Sequence, residues 1–560
     1  MAKLNIGNSD FKKIRINGDY FIDKSLLIRD VLDGSDVTLL PRPRRFGKTL
    51  NMTMLRYFFE KTEESNAGLF EGLLIADDAE AMRHQGQYPV VYISLKNIKG
   101  CDWNECDDML RSLISTLFDN HKEVAVSIKK PLDVQVFDRL INGTSSSAEL
   151  KSSLAMLVSL IYVHYNKPVV ILIDEYDSPV IESYQNGYYE KMISFMRAWL
   201  GGGLKHEDGM ATFRAIITGI LRITRESIFS DLNNLKVCSL LTPCGFADKF
   251  GFTEDEVAKL LNDFDLSDQL PDVQDWYNGY KFGGDVTIYN PWSVVNYVDN
   301  YPAPIGPQWL NTSSNALVYT ELENGGLELK RDLEKLLAGK ELRYPITENT
   351  VFDDIGKNPE NIWSFLCLSG YLNATAPERD FMDRLTYSLS IPNKEVGIVY
   401  QDFVTRWQNE LKFTATKDLI MSLMNENYAE FQILLADLIR NLVSYYDVGK
   451  YPEAAYHCFV LGLLASLRVV YDISSNAESG YGRADIIMRS KSSHCPLSFV
   501  IEFKVIGKYE DAEQTAETAL RQIEEKSYAS RLIEAGVDAG SIRKLAVVIQ
   551  QQKVVVKAAQ

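Results

Sequence analysis

Long hydrophobic runs are missing from this 560-residue chain, and so is a basic charge balance. The longest apolar stretches are broken by charged or polar residues well short of the ~20 needed to span a bilayer. That excludes a simple helical membrane protein. The opening residues 1–11 lack the charged-then-apolar pattern of a secretory leader, so a cytoplasmic protein is expected. Cysteine is sparse: seven residues, odd in number and scattered, suit a reducing compartment better than a disulfide framework. Cys101 and Cys106 are the closest pair, but no second Cys or His pair follows at zinc-site spacing, and both read as ordinary thiols. There is no internal repeat and no long low-complexity tract. The formal net charge is −17. Proteins that grip nucleic acid usually show a basic footprint, because affinity comes largely from neutralising phosphates. A local basic groove stays compatible with this balance; general coating of DNA does not.

What is present is an ordinary globular composition, 46% hydrophobic and 24% charged, in a chain too long for one core. Three regions are expected. In residues 1–250, short apolar runs (Val37–Leu40, Val90–Leu95, Val169–Ile173, Ala215–Ile217) alternate with helical stretches such as Leu150–Tyr162. This is the rhythm of an α/β domain with a parallel sheet buried on both faces. Residues 251–425 read as a mostly helical middle region with aromatic clusters and no obvious catalytic constellation. Residues 426–560 open with an amphipathic helix (Phe431, Leu434, Leu435, Leu438, Ile439, Leu442 and Val443 on one face) and a second helix from Pro452. Strands at Leu467–Ile473, Ala484–Met488 and Phe499–Val505, a helix near 511–528 and a last strand at Leu545–Gln550 complete the order α-β-β-β-α-β.

The first region carries a candidate nucleotide site. Val37–Leu40 runs into Pro41-Arg42-Pro43-Arg44-Arg45-Phe46-Gly47-Lys48-Thr49 and then a helix from about Leu50, the layout of a phosphate-binding loop. Backbone N–H groups at the helix start, with Arg45, Phe46 and Gly47, would cradle phosphates; Lys48 would reach the β/γ oxygens and Thr49 would ligate Mg²⁺. Arg42 stands where the usual first glycine would be. The apolar strand Val169–Ile173 ends in Asp174 and Glu175, placing one carboxylate for the Mg²⁺ shell and one to polarise water, with Asp177 close by. Thr218, after Ala215–Ile217, is positioned to sense a γ-phosphate, and Arg222 or Arg225 to stabilise its charge. For the first two motifs the competing explanation is a buried strand ending in a solvated acidic turn, and their order, each at a strand end, favours nucleotide binding. For Arg222 and Arg225, surface arginines following a strand stand as an equal alternative.

These segments resemble the bacterial AAA-ATPase-like family. The likeness is carried by Tyr20-Phe21-Ile22-Asp23-Lys24, the Arg42–Thr49 loop, Ile173-Asp174-Glu175-Tyr176-Asp177 and Thr218-Gly219-Ile220, and it continues through Trp276–Lys281 and Tyr289-Asn290-Pro291-Trp292-Ser293. In that family the Arg-Pro-Arg-Arg-Phe-Gly-Lys-Ser/Thr loop is the usual form. The resemblance implies a P-loop domain that binds ATP.

The last region carries a second candidate site. Asp485 sits at the start of one strand and Glu502 and Lys504 share one face of the next. An acid beside an acid-x-Lys pair is what metal-assisted phosphodiester cleavage needs: Asp485 and Glu502 as hard oxygen ligands, Lys504 to position water and meet developing charge. Glu453, on the preceding helix with His457 one turn later, completes the expected metal shell. Gln522 and Tyr528 fall on or near the following helix, within reach of a scissile phosphate. Ordinary strand-end charges in a salt bridge are the plain alternative, but the element order argues against it. The region resembles the PD-(D/E)XK nuclease superfamily, with Ala484 where the motif has proline; Asp485, Glu502 and Lys504 match its motif, Glu453 its helical acid and Gln522 its trailing-helix position.

The expected protein is therefore an α/β, ATP-binding, Mg²⁺-dependent nuclease whose expected partners are nucleic acid (DNA ahead of RNA), ATP and a second copy of itself. By analogy of its modules its role is defence against mobile DNA. Two rivals stand beside it: an ATP-dependent switch whose nuclease fold only binds nucleic acid, and a nuclease whose P-loop holds nucleotide without turnover.

Overall fold

The computed structural model describes the chain apart from residues 1–2, 5, 206–210, 221–227, 230–231, 233, 285, 310–317, 319–321, 323–326, 338, 341, 349–358, 411–412, 443–459, 462–463, 465–466, 468–470, 480–481, 492–495, 508–509, 551–552 and 560. It divides into two compact units. The first comprises Met1–Glu321 with Arg343–Val396, the second Leu322–Leu342 with Gly397–Gln560.

The first unit is built on a five-stranded sheet: β1 (Val37–Pro41), β2 (Val90–Ser94), β3 (Val169–Asp174), β4 (Thr212–Gly219) and β5 (Leu235–Val237). All neighbours pair in parallel, in the order β2-β3-β4-β1-β5. The reason is in the sequence. Every residue of β1 and β3 is buried, as continuous apolar strands covered on both faces require. Helix α1 (Lys48–Phe59) follows β1, and helix α2 (Ser147–Tyr165) leads into β3 from a capping box between Ser146 and Glu149. With β4 between them, β1 and β3 deliver their carboxyl ends to one edge of the sheet, where open α/β sheets bind ligands. Helix α1 starts at Lys48, slightly before the expected Leu50, because Gly47 already caps it. The short strand β5 was not anticipated; its few residues carry too little pattern to stand out.

Beyond the sheet come helices α3 (Glu254–Asp263) and α4 (Pro291–Asn300). They are accompanied by an antiparallel pair, β6 (Tyr280–Phe282) with β7 (Val286–Ile288), and by a three-stranded sheet in which β8 (Asn373–Arg379) pairs antiparallel with β9 (Leu385–Ser390). The middle region is thus helical with small sheets added. The first hairpin turns through Gly283 and Gly284, whose φ values of +62° and +92° suit glycine alone.

In the second unit, helices at Leu327–Leu337, Lys394–Glu410 and Phe413–Met424 precede α5 (Tyr428–Leu442). A mixed sheet follows: β10 (Tyr471–Ser479), β11 (Gly482–Ser490), β12 (Ser498–Ile506), β13 (Ile542–Gln550) and β14 (Lys553–Ala559), ordered as numbered. The β12–β13 pair is parallel, joined through helix α6 (Ala512–Glu525), and the other pairs are antiparallel. Phe431, Leu435 and Ile439 of α5 pack with Ile486, Phe499, Ile501 and Val547 into the core.

Three expectations are corrected here. The first strand lies at Tyr471–Ser479 instead of Leu467–Ile473. Leu467 is buried in the same core without being part of the strand, and apolarity alone does not separate the two cases. Its polar second half is held by backbone pairing to β11. Asp485 falls inside β11, not at its end. Lastly, β14 closes the sheet against β13, a strand the expected order omitted. The helix expected from Pro452 lies outside the described residues.

Candidate functional sites

In the first unit the chain leaves β1 and turns through Arg42–Gly47 into α1. Gly47 has φ 81° and Arg45 φ 70°. Gly47 takes this left-handed conformation freely, whereas for Arg45 it costs about 1–2 kcal/mol. The Arg45 guanidinium lies 4.0 Å from the centre of the Trp292 ring, a cation–π contact that offsets part of that cost. Phe46 is buried with its ring against Tyr280 and Phe282, so what it turns toward a ligand is backbone.

Arg42 explains why the first glycine can be dispensed with. It is 1% exposed. Its guanidinium donates to the carbonyls of Pro41 (2.7 Å), Cys238 (2.6 Å) and Phe246 (3.2 Å) and lies over the Phe250 and Phe282 rings. The loop is thereby tied to the end of β5, a task glycine has no side chain to perform.

Lys48 donates to the carbonyls of Arg42 (3.0 Å) and Pro43 (2.9 Å), and burial holds its pKa below the usual lysine range. One carboxylate gathers the neighbouring strands. Asp174 Oδ2 accepts from the Thr49 hydroxyl at 2.7 Å and Oδ1 from the Thr218 hydroxyl at 2.6 Å. Burial pushes the Asp174 pKa up, opposed by those two hydroxyls. Glu175, at φ 54°, turns out of the strand, and Ser178 Oγ donates to its Oε2 at 3.2 Å. Asp177 accepts from the Ile220 amide at 2.7 Å, pinning the chain after β4. Arg222 and Arg225 lie outside the described residues.

A cavity of about 480 Å³ opens over this loop. Arg44, Arg45, Lys48, Lys96 and Lys99 line it together with Thr49 and Glu175, and so do the apolar Ile22, Phe252 and Val295. The volume is of ligand size. Cations, a helix N-terminus and two hard oxygen donors (Thr49 and Asp174) are the set a metal-chelated polyphosphate requires. Lys96 and Lys99 escaped the sequence reading because nothing local marks them; only the fold brings the segment after β2 beside the loop. The Tyr20–Lys24 segment serves as a tether: the Tyr20 hydroxyl donates to Asp263 (2.7 Å) and Lys24 to Glu256 (2.6 Å) of α3. In the Tyr289–Ser293 segment, Asn290 caps α4 and Ser293 donates to the buried Glu395 at 2.6 Å.

In the second unit, β11 and β12 bring Asp485 beside Glu502. Asp485 Oδ2 accepts from the Phe503 amide at 2.8 Å. Glu502 is 2% exposed and its two oxygens differ. Oε1 accepts from Lys504 Nζ at 2.9 Å and from Gln522 Nε2 at 2.7 Å. Oε2 is buried and has no hydrogen-bond partner. Burial, followed by the Asp485 charge, raises the Glu502 pKa, with Lys504 opposing. A bare carboxylate oxygen costs free energy where it stands, and a divalent cation between it and Asp485 is the partner its chemistry fits. Among the described residues no group of three or more His, Cys, Asp or Glu comes together, and Glu453 and His457 lie outside them.

Gln522 is aimed from α6. Past the helix end Ser527 adopts φ 53°, and the Tyr528 amide donates back to the Ile523 carbonyl at 3.0 Å. This turn brings the buried Tyr528 hydroxyl to 3.1 Å from Gln522 Nε2, while the Ser479 hydroxyl donates to the Tyr528 carbonyl at 2.7 Å.

Residues 5–229 match the model of a predicted AAA-ATPase family, and residues 451–559 match that of the PD-(D/E)XK nuclease superfamily. In chain order, an AAA-ATPase-like match is thus followed by a PD-(D/E)XK nuclease match, as the two folds lead one to expect. Along most of its length it is similar to the "Uncharacterized protein in vnfD 5'region" of Azotobacter chroococcum mcd 1: 24% identical over 554 residues, covering 94% of this chain and 93% of that protein. Among the described residues no helix is long and apolar enough to cross a membrane.

Proposed function

We propose that this protein is an ATP-controlled nuclease that cleaves nucleic-acid phosphodiester bonds with a divalent metal, Mg²⁺ in the cell. The observation that carries the reading is the buried, partnerless Oε2 of Glu502 beside Asp485, with Lys504 and Gln522 occupying the other oxygen. Asp485 and Glu502 would hold the ion; bound there, it would lower the pKa of water and neutralise charge building on the phosphate. Lys504 adds a cation at the reacting phosphate, and Gln522 keeps Glu502 turned so that Oε2 faces the site.

In the first unit, Lys48, Arg45 and the amides around Gly47 would take the phosphates of ATP. Thr49 and Asp174 would complete its Mg²⁺ shell, with Glu175 as the base for hydrolysis and Thr218 as the sensor of the γ-phosphate. We assign nucleotide control to residues 1–250, cleavage to 426–560 and their linkage to 251–425. DNA is the favoured substrate and defence against mobile DNA the favoured role. The −17 net charge favours a cutter that works on local or delivered substrate over one that coats any duplex.

The test is incubation of purified protein with single- and double-stranded DNA and RNA, with Mg²⁺ or Mn²⁺ and with or without ATP. Cleavage lost in Asp485→Ala and Lys504→Ala supports the reading, and cleavage that persists in both overturns it. ATP hydrolysis by wild type and Glu175→Gln separates an active ATPase from a nucleotide-holding domain.

A further inference from the structure

Arg42 is a full positive charge deep in the first unit, and the groups acting on it include no carboxylate among the described residues. Its Nε is buried without a hydrogen-bond partner. A buried guanidinium held by carbonyls alone is badly compensated. The remaining group that meets it is the sulfur of Cys244.

The backbone around that sulfur is tightly folded. Cys238 continues the line of β5, its amide donating to the Leu39 carbonyl at 2.9 Å. Ser239 Oγ then accepts from the amides of Leu241 (3.1 Å) and Thr242 (3.3 Å), bending the chain back. Arg42 clasps both limbs, holding the carbonyls of Cys238 and Phe246. The two thiols meet in this clasp. Cys238 is fully buried and Cys244 is half-buried. Hydrogen bonding from the Cys238 thiol, then the Phe246 amide and the Arg42 guanidinium, draw the Cys244 thiol down against the effect of burial, while Cys238 is pushed up. Lys236 is the other charged group acting on Cys238.

We propose that Cys244 and Cys238 form a redox-reactive dithiol that hydroperoxides close into a disulfide, with Cys244 as attacking thiolate and Cys238 as resolving thiol. The Cys244 sulfur attacks the outer peroxide oxygen and the O–O bond breaks. This gives a sulfenic acid and an alkoxide or hydroxide that takes up a proton. Cys238 sulfur then attacks Cys244 sulfur; the S–O bond breaks, the S–S bond forms, and the departing oxygen leaves as water with the Cys238 proton. Two thiols and one hydroperoxide become a disulfide, an alcohol (water, for hydrogen peroxide) and water. Closure removes the anion beside Arg42, whose own carbonyl holds Lys48, so the phosphate loop is coupled to the reaction.

The experiment uses the full-length reduced protein and stoichiometric hydrogen peroxide, followed by alkylation of the remaining thiols and peptide mapping. The expected product is a Cys238–Cys244 linked peptide, reversed by dithiothreitol, with exposed Cys101 still alkylated. Without peroxide, alkylation of Cys244 should reach half its plateau at a pH below the ~8.5 of an ordinary thiol. Arg42→Met should move that midpoint upward; if this variant does not fold, the wild-type profile and the mapping decide alone. Alkylation of both cysteines unchanged by peroxide, or oxidation of Cys244 without linkage to Cys238, overturns the proposal.

Discussion

The two sites of this chain each centre on a buried carboxylate, and they treat it in opposite ways. Asp174 has both oxygens occupied by hydroxyls from neighbouring elements, Thr49 and Thr218. Glu502 has one oxygen doubly occupied and one bare. The first arrangement is stable by itself, and a ligand must displace contacts already made. The second is incomplete by itself, and a cation adds contacts that nothing else supplies. On the proposed function, that difference makes the first a controlling site that rests closed and the second a cutting site that stands ready for its ion.

The strongest way to break the comparison is Asp485→Ala or Lys504→Ala. Either should lower metal-dependent cleavage by about 10³-fold or more while leaving ATP hydrolysis unchanged, followed by release of acid-soluble nucleotide. Next in size, Glu175→Gln should cut ATP turnover by ~10²- to 10⁴-fold with nucleotide affinity retained, measured by phosphate release and equilibrium binding. Removing the support behind the bare oxygen, in Gln522→Leu, should weaken Mn²⁺ affinity by roughly 10- to 100-fold, read by calorimetric titration. The smallest effect is the most direct contrast. Thr218→Val leaves an oxygen of Asp174 unpaired and should destabilise the protein by about 1–3 kcal/mol. Glu502→Gln should stabilise the metal-free protein by about 1 kcal/mol and abolish its stabilisation by Mn²⁺. Chemical denaturation with and without Mn²⁺ reads both; destabilisation by Glu502→Gln would show that Oε2 is not the strained atom it is taken to be.

The motif residues that the structure brings together at the two candidate sites could be picked out in the sequence because their chemistry restricts them locally. A Gly-Lys-Thr after an apolar strand, an Asp-Glu pair ending another and an acid-x-Lys on one strand face announce themselves without tertiary information. So did the parallel strands β1 to β4, whose unbroken apolar runs leave few alternatives. The unreadable parts depend on contacts between distant segments. Nothing near Arg42 in sequence says that its guanidinium will be claimed by Cys238 and Phe246, nor that Trp292 will lie over Arg45. The short β14 carries a local strand signal in Val554-Val555-Val556, but only its pairing with β13 makes it part of this sheet. Placing Asp485 inside β11 required knowing that the polar Gly482 and Arg483 still pair with β10.

The turn at Ser527 has a consequence for how the chain acquires its activities. By folding Tyr528 back onto Gln522, it lets the described members of the second candidate site come from one stretch between Asp485 and Tyr528 joined by short connections. The phosphate site instead must bring Lys48 beside Asp174 and Thr218 across most of the first unit. Low contact order favours rapid assembly of the former, high contact order a slower search for the latter. Synthesis runs the other way, since the slow site emerges first and has the whole middle of the chain as its lead time. A ribosome that stalls before Asp485 therefore releases a chain carrying the phosphate-loop sequence without the residues of the second candidate site.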